Sequence, residues 1–95
     1  MAINNQKRNE QILYIGPEEN ITDVRERLNR VASQQITLVV PAQTQLRGQV
    51  TWKLLSGRAR ERGQNICIVS SDPYVRAMAQ SVRFRVTSSL PETNI

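Results

Sequence analysis

Three short apolar runs, each followed by a stretch with apolar residues at helical spacing, most constrain what this chain can form. The runs are Gln11-Ile12-Leu13-Tyr14-Ile15, Ile36-Thr37-Leu38-Val39-Val40 and Ile66-Cys67-Ile68-Val69. Each has the length and the β-branched content of a buried strand. Such alternation of strand and helix implies a parallel sheet, because parallel neighbours need a long crossover between them.

The connecting stretches carry their own start and stop signals. Asn20 or Thr22 can cap a first helix whose Ile21, Val24, Leu28 and Val31 fall on one stripe, with Asp23 and Glu26 at the positive end of its dipole. Pro41 ends the second strand. A second helix is expected from Gln45 to Arg62, with Thr44 before it and Gly63 as its stop. It carries two apolar rows, Leu46/Val50/Leu54 and Trp52/Leu55/Ala59. One row is expected in the core, with the other either buried as well or offered to a partner. Gly57 inside this helix suggests close packing. Asp72-Pro73 opens a third helix with Val75, Met78, Ala79 and Val82 inward. Arg83-Phe84-Arg85-Val86-Thr87 alternates polar and apolar, as an edge strand does, and its two arginines discourage pairing with another sheet.

The expected fold is therefore one α/β domain over residues 11–87, β-α-β-α-β-α-β, with a four-stranded parallel sheet. Right-handed crossovers favour the strand order 2-1-3-4, with the first helix on one face and the other two opposite. Residues 1–10 are expected to be a flexible N-terminal arm, and residues 88–95 a C-terminal tail or linker. Asn20-Ile21-Thr22-Asp23-Val24, Leu38-Val39-Val40-Pro41, Leu54-Leu55 and Ile68-Val69-Ser70-Ser71-Asp72-Pro73 together resemble small Rossmann-like domains of uncharacterised bacterial proteins. The resemblance implies a Rossmann-like fold and a module that also occurs within longer chains. It implies no activity.

Composition narrows the function classes. Thirteen Lys and Arg face eight Asp and Glu, a net charge of +5. The excess lies between Arg47 and Arg85, where only Glu61 and Asp72 oppose the basic residues. Such a field favours acidic partners. There is no histidine, which excludes a Ser-His-Asp arrangement. The single cysteine, Cys67, sits in an apolar run and reads as a small buried hydrophobe. No P-loop or nucleophile elbow occurs. Apolar runs are too short to span a bilayer, and Gly16-Pro17 interrupts the run after Lys7 and Arg8, which argues against a signal peptide. A cytoplasmic protein without cofactor, metal or membrane association is expected.

Three sets of candidate residues remain. A 2-1-3-4 sheet opens a crevice between strands 1 and 3, lined by Gly16, Glu18, Asn20, Ser70, Ser71 and Asp72. Backbone N–H groups there suit a small phosphate, and the carboxylates suit Mg²⁺. Helix capping accounts for the same acids. Arg47, Lys53, Arg58, Arg60 and Arg62 are expected on the second helix and Arg76 and Arg83 on the third; the two helices share a face and form a basic surface for phosphates. Aromatic residues make up only 4% of the chain, too few for a base-stacking platform. Trp52 is the interface candidate if it is exposed. The leading expectation is a non-catalytic interaction or assembly module with a protein partner or as a homodimer. The alternatives are sequence-unspecific nucleic-acid binding, and an Mg-dependent phosphate-handling enzyme or phosphoacceptor domain.

Overall fold

The computed structural model describes residues 10–88. Seven elements alternate strictly: β1 (Glu10–Tyr14), α1 (Ile21–Asn29), β2 (Gln35–Val39), α2 (Gln49–Arg62), β3 (Asn65–Val69), α3 (Pro73–Ser81) and β4 (Arg85–Thr87). All strand pairs are parallel, with Leu13, Leu38, Ile68 and Val86 in one row across the sheet. The expected arm and tail lie outside the described residues, apart from Glu10, which opens β1, and Ser88.

The order across the sheet is β1-β2-β3-β4, which corrects the expected 2-1-3-4. Right-handed crossovers that always step to the next strand stack every helix on one face. Accordingly α1 packs beside α2 and α2 beside α3. One face of the sheet supplies Leu13, Ile15, Ile36, Leu38, Val40, Ile66 and Ile68 to the core. The three helices supply Val24, Leu28, Trp52, Leu55, Ala59, Val75 and Ala79 to the same cluster. The domain thus has two layers, and the first helix does not lie opposite the others.

The residues of β1 explain its position. Glu10, Gln11, Ile12 and Tyr14 are exposed and only Leu13 is buried. The order 2-1-3-4 would place this strand in the middle of a sheet covered on both faces, where a near-continuous apolar run is needed. Its polar start suits an edge. β4 forms the other edge, as its arginines suggested, although it is shorter than expected and begins at Arg85.

The caps follow the sequence closely. Asn20 Oδ1 accepts the Asp23 N–H at 3.0 Å, and Asp23 Oδ2 accepts the Asn20 N–H at 3.0 Å, a reciprocal capping box on α1. Asp72 Oδ2 accepts the Val75 N–H at 3.3 Å ahead of Pro73, the first residue of α3. At α2 the expectation fails by one turn. Thr44 Oγ1 accepts the Leu46 N–H at 3.1 Å, closing a local turn that sends Leu46 into the core before the helix begins. Gly48 then stands at the N-cap with no side-chain bond.

Two helices end alike on different residues. The Gly63 N–H donates to Arg60 O at 3.2 Å and the Gln64 N–H to Ala59 O at 2.9 Å. The Arg83 N–H donates to Gln80 O at 2.9 Å and the Phe84 N–H to Ala79 O at 3.1 Å. Both are Schellman motifs, which need a left-handed residue. Gly63 takes φ 67° without a Cβ penalty, whereas Arg83 holds φ 74° with one. The left-handed conformation costs an ordinary L-residue about 1–2 kcal/mol.

Gly57 is not a packing device. A Cβ built there meets nothing within 4 Å.

Candidate functional site

With every helix on one side, no helix covers the opposite face of the sheet among the described residues. The pairing registers place Ile12, Thr37, Cys67 and Arg85 in one row on it and Tyr14, Val39, Val69 and Thr87 in the next. Ile12 is 45% exposed and Tyr14 61%. Val69 is the one buried hydrophobic residue outside the main core cluster, because it points away from the helices. Four strands at about 4.8 Å spacing and five residues at about 3.3 Å rise give a face of roughly 300 Å². The outer side of α2 adds Val50 and Leu54, one turn apart and both exposed.

A second feature lies at the C-terminal ends of α2 and α3. A groove of about 330 Å³ is lined by Arg60, Arg83 and Arg85 together with Ser56, Gln64 and Asn65. It continues between the helices as a shallower channel of about 260 Å³ that reaches Lys53 and Ser81. No carboxylate lines either part. Gln64 is buried, and its Oε1 has no hydrogen-bond partner among the described residues. Its Nε2 donates to Leu28 O at 3.4 Å.

The expected crevice does not form. It required β1 and β3 to be neighbours, and β2 runs between them. A sheet whose strands follow in order has no switch point at which helices part to opposite faces. Gln45, in the loop after β2, donates from Nε2 to Pro17 O at 3.4 Å, so the β2 loop fills the space beside the β1 loop. The crevice candidates serve local structure instead. The Gly16 N–H donates to Glu19 Oε1 at 2.7 Å, and Arg27 Nη1 pairs with the same oxygen at 2.7 Å. Glu18 turns back over Gly16, where its carboxylate would obstruct a Cβ. Asn20 and Asp72 cap helices. Ser70 is buried and its Oγ accepts the Asp72 N–H at 3.1 Å, while Ser71 is exposed. No group of three or more potential metal ligands gathers among the described residues.

The basic set is divided by the fold. Arg47 donates to Ala42 O at 3.0 Å, and its guanidinium lies 5.0 Å from the Tyr74 ring centre. Tyr74 in turn donates to Arg47 O at 2.7 Å. Arg58 reaches across to α1 and donates to Asn29 Oδ1. Arg76 Nη1 donates to Ser70 O at 3.2 Å. Arg62 is exposed and lies outside the groove. Lys53, Arg60 and Arg83 of the expected basic face line it, and Arg85 adjoins them. The trace these left in the sequence is Arg83, an arginine where the parallel ending of α2 has Gly63.

Trp52 is not an interface residue. It is fully buried, its Nε1 donates to Leu46 O at 2.9 Å, and its ring meets Phe84 edge-on at 6.1 Å and 74°. The row that contains it, with Leu55 and Ala59, is the core row of α2. Of the other row, Val50 and Leu54 are exposed and Leu46 is buried ahead of the helix.

No helix among the described residues is long and apolar enough to cross a membrane. No family model, curated protein or solved structure matches the chain.

Proposed function

We propose that this chain is a non-catalytic assembly module that pairs with a second copy of itself through the uncovered face of its sheet. The observation that supports this reading most is that Ile12 and Tyr14 are exposed on the side of the sheet that carries no helix, next to the half-buried Val39 and the buried Val69. Two such sheets pack face to face in aligned sandwiches about 10 Å apart. The charges on the rim favour self-pairing over a partner of one sign. Glu10 stands on the β1 edge and Arg85 on the β4 edge. A two-fold axis along the strands lays β1 of one copy over β4 of the other and brings each carboxylate towards a guanidinium.

The area sets the strength. Roughly 600 Å² buried in total is well below the standard interface of about 1,600 Å². The association is therefore weak and reversible, with Kd at or above about 1 μM. The Rossmann-like reading and membership of a longer bacterial protein belong to this proposal, carried by the strand–helix alternation alone.

Sedimentation equilibrium from about 10 μM to 1 mM tests it. The expected result is a monomer–dimer equilibrium that Tyr14→Lys abolishes while the circular dichroism spectrum stays native. A strictly monomeric protein over that range, or a dimer indifferent to Tyr14→Lys, would overturn it.

A further inference from the structure

The groove at the ends of α2 and α3 is a concentration of positive charge with nothing in the fold to answer it. Lys53, Arg60, Arg83 and Arg85 line it, no acid does, and none of the four pairs with a carboxylate among the described residues. The helix dipoles account for part of this, since basic residues are favoured in a last turn, and Arg60 and Arg62 stand there in α2. They do not account for Arg83. That residue holds a left-handed backbone which a glycine would adopt freely, as Gly63 does in the same motif one helix earlier. Strain held at one residue is a sign of use when the surrounding structure fixes it. Here it places a cation in the lining of both parts of the groove, one that no capping requirement calls for.

We propose that this groove binds a small ligand bearing two or more phosphate groups, held by the guanidinium groups of Arg60 and Arg83, with Lys53 at the far end of its channel. Planar guanidinium forks match phosphate oxygens in pairs. Two helix C-termini contribute roughly half a negative charge each, which the three full positive charges of Lys53, Arg60 and Arg83 outweigh. The deeper part, about 330 Å³, is at the size of ordinary small-molecule sites, which begin near 300 Å³. The same division of the basic residues favours a small ligand over a nucleic acid. Arg47, Arg58 and Arg76 are engaged in local contacts, which leaves Lys53, Arg60 and Arg83 together at the groove with Arg62 outside it, not a track along the helices.

Titration of the protein with inorganic tripolyphosphate, followed by calorimetry and backbone NMR shifts, tests this. Saturable one-site binding is expected, with shifts centred on residues around Arg60 and Arg83. Arg60→Gln and Arg83→Gly should each weaken it at least tenfold, and Arg83→Gly should do so with an unchanged or raised Tm. Arg62→Gln removes an exposed charge from the same helix outside the groove and should leave affinity within twofold. The proposal is overturned by non-saturable binding, by Arg62→Gln weakening it as much as Arg60→Gln, or by Arg83→Gly leaving it intact. It is equally overturned if a 20-base-pair duplex binds more tightly and depends on Arg62 as well. None of these outcomes depends on self-association through the sheet, because the variants leave Ile12 and Tyr14 untouched.

Discussion

Replacing Trp52 with phenylalanine probes the packing that joins the helices to the sheet. The indole N–H is bonded to the carbonyl of Leu46, a fully buried residue, at 2.9 Å. Phenylalanine leaves that carbonyl without its donor, at a cost of about 1–3 kcal/mol. The smaller ring also vacates roughly 40 Å³, which at about 24 cal/mol per Å³ adds about 1 kcal/mol. The edge-on contact with Phe84 is loosened as well. A total of about 2–4 kcal/mol is a large share of the 5–15 kcal/mol typical of a domain. At about 4–8 °C per kcal/mol for a chain of this size, Tm should fall by at least about 8 °C. Thermal unfolding followed by far-ultraviolet circular dichroism measures this in both proteins. A loss below about 0.5 kcal/mol would refute the placement of Trp52 in the core. So would free quenching of the native tryptophan fluorescence by acrylamide.

Glycine substitutions should separate two roles on a single helix. Gly57→Ala should raise stability by about 0.5–1 kcal/mol in urea unfolding, since its Cβ would stand in open space within α2. Gly63→Ala should lower stability by about 1 kcal/mol in the same assay, because φ 67° strains any side chain there.

Much of the fold could be read from local chemistry. Alternating runs of β-branched residues and helical stripes mark all seven elements, because burial on a strand and on a helix leaves different periods in the chain. Asn20, Asp72-Pro73 and Gly63 mark helix ends because each satisfies a backbone group that has no other partner. Strand order is a different kind of property. It depends on which face each crossover covers, and the residues of β2 and β3 fit either arrangement. The deciding signal was weak but present: Glu10 and Gln11 make β1 too polar to sit between two covered neighbours. The crevice candidates failed with the strand order, since their only common feature was the assumed adjacency of β1 and β3. Trp52 was ambiguous because α2 carries two apolar rows. The structure assigns the inward one through a hydrogen bond to Leu46, which leaves the helical pattern altogether. The groove did not stand out within the expected basic face because Arg60 and Arg83 come from separate parts of the chain, and only the fold sets them together and apart from Arg47, Arg58 and Arg76.

Cys67 supplies the most direct test of the central claim, that the face of the sheet without helices serves for self-pairing. It is the only thiol, and it lies half-buried in the central part of that face beside Thr37 and Arg85. Its rate of modification by a small alkylating reagent should be measured in the native protein from about 10 μM to 1 mM. The account predicts ready reaction in dilute protein and progressive protection as concentration rises, with Tyr14→Lys removing the protection. A thiol that reacts only when the protein unfolds, or at a rate independent of concentration, would contradict it.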